Sequence, residues 1–126
     1  MAKIVLIIAA IIEFVFRGLP AFFGGESMAR LFGLEYIPGA LVYTHPFGAL
    51  MLVFGVMFFV ASKDPAKHKL IFDVGILRYA LGLGSYVVTL VMLGSIATFW
   101  WIHLVVDVVL LILFVAARPK AAVASA

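Results

Sequence analysis

Apolar residues run along this chain in four long stretches, at roughly residues 3–23, 40–61, 70–93 and 96–117. A helix rises 1.5 Å per residue, so about 20 apolar residues cross a hydrocarbon layer ~30 Å thick. Each stretch reaches that length without the alternation of a half-buried strand or the polar face of a surface helix. The pattern predicts an all-α, integral membrane four-helix bundle that forms a single transmembrane domain over 1–126. Between the first two spans lies a polar segment with Glu26, Arg30 and Glu35, in which Met28, Leu31, Phe32 and Leu34 recur at near-helical spacing. A short interfacial helix is expected there. Residues 62–69 form a charged loop, and 121–126 are expected to be a loose tail.

Charge orients the spans. Lys3, Lys63, Lys67, Lys69, Arg118 and Lys120 all fall on one side of a four-span layout, while Arg30 on the other side is flanked by Glu26 and Glu35. Basic loops stay in the cytoplasm, so both termini are expected to be cytoplasmic, in a bacterial inner membrane. Trp100, Trp101, Tyr36 and Tyr43 would then lie near the outer interface. Composition agrees: 67% of residues are hydrophobic and 12% charged, which excludes an ordinary soluble domain. The net charge of +3 is spread around the membrane ends, which argues against a nucleic-acid partner. Cysteine is absent, excluding disulfides, thiolate metal sites and CxxC redox chemistry. The run Ile4–Ile12 meets Glu13 and Arg17 instead of a small-residue cleavage site, so the first stretch reads as a retained span.

Every span also carries an ionisable residue: Glu13 and Arg17, then His45, then Arg78, then His103 and Asp107. A charge at the bilayer centre costs about 3 kcal/mol on insertion scales, so these groups need partners or a wet cavity. In antiparallel spans most of them reach similar depths, and Glu13 and Arg17, like His103 and Asp107, are four apart on one helix face. On span three Arg78, Gly82, Ser85 and Thr89 form a stripe, with Ala80 and Gly84 on a neighbouring face; on span two the stripe is His45, Gly48, Leu52 and Gly55. Two carboxylates and two arginines balance, as buried ions must. Glu13 is expected to pair with Arg17, Asp107 to orient His103 or meet an arginine, and Asp73 to face water or the loop.

The candidate ligand-binding or proton-handling residues are Glu13, Arg17, His45, Arg78, Tyr86, His103 and Asp107, with no catalytic residue assigned. Paired with Asp107, His103 is the leading proton-handling group. His45 and His103 at matching depth raise the question of a metal or haem, but no HxxxH pair occurs and so small a bundle leaves little room for a porphyrin. Pro46 either opens the second helix or, if that helix starts near Ala40, interrupts its hydrogen bonding.

Glu13 in the first of four short spans and the Gly82-Leu83-Gly84 run resemble the small multidrug resistance transporters, from which the chain departs in its long first loop and in Arg17. Arg17-Gly18-Leu19-Pro20-Ala21-Phe22, then Gly25, then Ala29-Arg30-Leu31-Phe32-Gly33 resemble the DoxX-like group of small four-span bacterial membrane proteins. That resemblance covers the hydropathy of the whole chain and implies a membrane partner of redox systems, in some cases linked to quinone or thiosulfate oxidation. The leading expectation is a polar intramembrane cavity for a lipid-soluble, quinone-like ligand. A proton-coupled transporter or channel and a structural subunit of a membrane complex are the alternatives, with the bilayer and a homo-oligomer or complex subunit as partners.

Overall fold

A computed structural model describes residues Met1–Lys120; the expected tail at 121–126 lies outside the described residues. The order is α1 (Ala2–Phe23), a short α2 (Glu26–Leu31), a 3₁₀ turn at Pro38–Ala40, α3 (Leu41–Ala61), α4 (Lys69–Leu93) and α5 (Thr98–Ala117). Four of these helices are long and apolar enough to cross a membrane, which makes this a multi-pass membrane protein by length and composition. Gly94 ends α4 in the left-handed conformation (φ 73°). Ala97 is then extended, so α5 starts at Thr98 and not at the expected 96.

α1 is not a uniform helix. Residues Ile12–Gly18 form a π segment, in which the Leu19 N–H reaches back to the Phe14 carbonyl. Pro20 accounts for it: proline has no N–H, and its ring crowds the carbonyl four residues earlier, that of Phe16, so the preceding turns widen. Such π insertions are rare and concentrate at functional sites. In α3, Pro46 lies inside the helix, so it interrupts the hydrogen bonding instead of opening the helix.

Small residues set the helix pairing. A Cβ on Gly48 would lie 2.2 Å from the Phe22 backbone nitrogen, and one on Gly55 would lie 2.6 Å from the Phe14 Cβ. The expected stripe on span two is therefore the contact between α3 and α1. On α4, Gly75 makes room for the Phe114 ring of α5, whose Cε1 would come within 2.1 Å of a Cβ. α1 also packs on α5, whereas α3 and α4 share only a narrow contact. Ala80 and Gly84 face outward, and nothing lies within 4 Å of a Cβ on Gly84.

The tightest packing lies at the end that carries the start of α1 and the end of α5, here called the base. Val5, Leu6, Ala9, Phe58, Ala61, Phe72, Leu110, Phe114 and Ala117 are buried there. Phe114 stands at the centre of an aromatic group, with ring centres 5.2 Å from Phe58, 5.6 Å from Phe72 and 5.3 Å from Tyr79. Asp73 remains partly exposed, as one of the two expectations for it had it, and meets Arg118 at 2.6 Å across the rim of the base, fastening the end of α5 to α4. The opposite end, the mouth, is looser. No residue of α2 or of the Pro38–Ala40 turn is buried.

Candidate functional site

Halfway along the bundle, the π segment of α1 brings Glu13 and Arg17 against α4 and α5. Arg17 Nη1 donates to Glu13 Oε1 at 2.8 Å, and Arg17 Nη2 lies 2.6 Å from Asp107 Oδ1. Arg78 Nη2 lies 3.4 Å from Glu13 Oε2, and Arg78 Nη1 lies 3.8 Å from Asp107 Oδ2. The four groups thus form a square in which signs alternate, so each charge sits between two opposite ones. Glu13 is fully buried, Asp107 and Arg17 nearly so, and the Arg78 side chain is 12% exposed. Such burial is tolerable only because every charge is matched; removing one corner of a buried ion network typically costs about 3–5 kcal/mol.

Neighbouring residues make the square possible. A Cβ on Gly82 would lie 2.8 Å from both Arg78 Nη1 and Asp107 Oδ2, so glycine there lets the two helices bring their charges together. The Gly18 hydrogen faces Leu52, where a Cβ would come within 2.7 Å. Arg78 also donates to Met51 Sδ at 3.3 Å, and its guanidinium lies 5.3 Å from the Tyr79 ring centre. Among the described residues no partner is found for the buried Arg78 Nε or the buried Tyr79 hydroxyl.

His103 stands beside the square, not inside it. Arg17 Nε donates to His103 Nδ1 at 3.2 Å, and Arg17 Nη2 reaches the His103 carbonyl at 3.4 Å. An arginine can only donate, so Nδ1 carries the lone pair and Nε2 carries the proton. Asp107, one turn along α5, serves the arginines, so His103 is oriented by Arg17 and not by the carboxylate. The imidazole is wedged against Phe99 (ring centres 4.4 Å apart) and Trp100 (5.8 Å).

Above the square opens a cavity of about 590 Å³ at the mouth. Its polar floor is Arg17, Arg78, His103 and Tyr86, and its walls include Phe16, Phe47, Phe99 and Trp100. Glu13 and Asp107 do not line it; they lie behind the arginines. The floor is thus rich in hydrogen-bond donors, with the arginine charge neutralised from behind, while Glu35 and Thr44 add polar groups elsewhere in the lining. A second hollow of about 310 Å³ lies beyond Tyr86 and Trp100, bounded by Ser85, Thr89 and Ile96. The Ser85 and Thr89 hydroxyls both donate to carbonyls of their own helix, at 2.7 and 2.8 Å.

Of the candidate residues, Glu13, Arg17, Arg78, His103 and Asp107 come together, and Tyr86 joins them at the cavity floor. His45 does not. Exposed near the start of α3, its Nε2 lies 3.3 Å from the Gly24 carbonyl. His45 and His103 therefore hold different partners, and no group of three or more His, Asp or Glu suited to a metal ion occurs among the described residues. Tyr79 of α4 and Met51 of α3 lie against Arg78 although hydropathy marks neither; the spacing of Phe72, Gly75 and Tyr79 is the signal that puts Tyr79 on a buried face of α4.

No protein-family model matches the chain, and no curated protein or solved structure shows significant similarity to it.

Proposed function

We propose that this protein binds a lipid-soluble small molecule through an uncharged acceptor head group, of the kind a quinone carbonyl provides. One observation carries the reading: the cavity floor offers donors from Arg78, His103 and Tyr86, with Arg17 already bonded to Glu13, Asp107 and His103, and the carboxylates that balance the arginines lie buried behind. A ligand carbonyl can accept from such a floor without upsetting the charge balance. A full anion would have to compete with Glu13 and Asp107 for the same guanidinium groups. The volume suits a single ring head with part of its tail, and the aromatic walls suit a flat apolar body.

The membrane placement belongs to the same proposal. The basic residues Lys63, Lys67, Lys69 and Arg118 ring the base, and Lys67 donates to Asp64 at 3.1 Å, holding that carboxyl below its usual range. Cytoplasmic termini in a bacterial inner membrane, with α2 at the outer interface and the cavity in the outer half, follow from that asymmetry. Of the twelve residues that carry the DoxX-like resemblance, Arg17, Pro20, Ala21, Gly25, Ala29 and Phe32 line the cavity. An accessory role beside a membrane redox enzyme is consistent with that placement. Proton-coupled transport has less support, because Glu13 and Asp107 are each held between two arginines. A homo-oligomer or a larger complex has the exposed α4 face of Leu77, Leu81 and Val88 available.

Purification in mild detergent, followed by absorption and mass spectrometry of extracted small molecules, tests the reading. A co-purifying quinone or related carbonyl compound, lost in His103→Ala, is the expected result. Retention of the same compound in His103→Ala and Arg78→Gln proteins that remain folded would overturn it.

A further inference from the structure

We infer that the segment from Gly24 to Gly39 is a hinged cover, and that its movement admits the ligand to the cavity. The inference rests on the binding role proposed above. Met28, Ala29, Phe32, Leu34, Tyr36 and Ile37 of this segment form one wall of the cavity. The wall is weakly held: α2 buries no residue, and the Pro38–Ala40 turn buries none. Its ion pair, between Arg30 and Glu26, lies within α2 and ties it to nothing else. Among the described residues, one ring contact and one hydrogen bond reach from the segment to the long helices. The Phe32 ring rests on Phe99 with centres 4.8 Å apart, and His45 Nε2 meets the Gly24 carbonyl at 3.3 Å. Segments with little buried area and few fixed contacts are those that open at low free-energy cost.

The glycines mark where it bends. Gly18, Gly24, Gly48, Gly55, Gly75 and Gly82 are each hemmed in by a neighbour that a Cβ would strike. At Gly25 and Gly39, near the two ends of the cover, nothing lies within 4 Å of an added Cβ, and neither has a positive φ. The folded state does not need glycine at either place. What glycine supplies there is a wide range of φ and ψ during movement. The cover is also in touch with the site, because Phe99 bears on Phe32 on one side and on the His103 ring on the other, 4.4 Å away. A head group bound at His103 thus favours the closed position of Phe32.

The double variant Gly25→Ala/Gly39→Ala tests this, since alanine fits the space at both positions. A benzoquinone with a short alkyl tail is the probe, and the fluorescence of Trp100 in the cavity wall reports its arrival; Trp101→Phe removes most of the background. Association and dissociation should both slow by about tenfold, with the equilibrium constant nearly unchanged, because two glycines lose freedom in the open form. Hydrogen exchange without any ligand gives an independent reading: amides of residues 26–37 should exchange faster than those of α3, slow in the double variant, and speed up in Phe32→Ala. If quinone fails to bind yet exchange follows this order, the cover stands and the ligand assignment falls. Exchange at 26–37 indifferent to the double substitution, or quinone rates unchanged by it, would overturn the cover.

Discussion

The base and the mouth of this bundle are built on opposite terms. At the base, Phe58, Phe72, Phe114 and Leu6 are fully buried and interlocked, with glycine only where a ring needs space. At the mouth, a cavity of about 590 Å³ is bounded by a segment with no buried residue. Between them lies the charged square. A close-packed interior loses several kcal/mol for each large void opened in it, so an open cavity needs a support that does not collapse into it. The square supplies that support: four charges in a ring fix α1, α4 and α5 in register and present a polar floor that hydrocarbon side chains cannot fill. Packing holds one end, electrostatics holds the middle, and the other end is left free for a ligand.

The largest effect should come from breaking the square. Asp107→Ala leaves both arginines facing one carboxylate and should cost about 4 kcal/mol in unfolding titrations in mixed micelles. Adding Arg78→Met should restore a substantial part of that loss, because the pair leaves charge balanced; strict additivity would argue against a coupled square. Next, Phe58→Ala at the base should cost about 3 kcal/mol through the cavity it leaves among the rings. Gly48→Ala should cost about 2 kcal/mol, since its methyl group would press on the Phe22 backbone and part α3 from α1. At the small end, Asp64→Ala removes an exposed loop pair and should leave the midpoint of unfolding unchanged. Equal costs at Phe58 and Asp107 would remove the distinction between a packed base and an electrostatic middle.

Much of this architecture is legible in the sequence, for identifiable reasons. Four long apolar stretches leave helices as the only economical way to satisfy the backbone, and the i, i+4 spacing of Glu13 and Arg17 announces their pairing. Charge balance announces that Asp107 and Arg78 must meet opposite partners. The alternating square is not legible, because its geometry depends on the π segment before Pro20 and on the missing side chain of Gly82. Both are matters of fractions of a turn, which residue spacing does not resolve. His45 has the depth of a site residue but is turned towards the Gly24 carbonyl. Depth along a helix is set by sequence position, whereas the direction of a side chain near an irregular start at Pro38–Ala40 is not. Tyr79 escapes notice beside Arg78 because a phenol in an apolar helix looks like any other ring. The cover escapes for the opposite reason: its mixed polarity reads as a surface connection, and only the fold lays Phe32 on Phe99.

The donor floor is tested most directly by titrating the purified protein with a short-tailed benzoquinone and with its deoxygenated ring analogue, following Trp100 fluorescence in wild-type, His103→Ala and Arg78→Gln proteins. The wild type should show saturable quenching by the carbonyl compound alone, weakened by about tenfold or more in each variant, as expected when a buried acceptor loses its donor. Equal binding of both compounds, or quenching by the quinone that neither substitution alters, would contradict a donor floor that recognises a carbonyl.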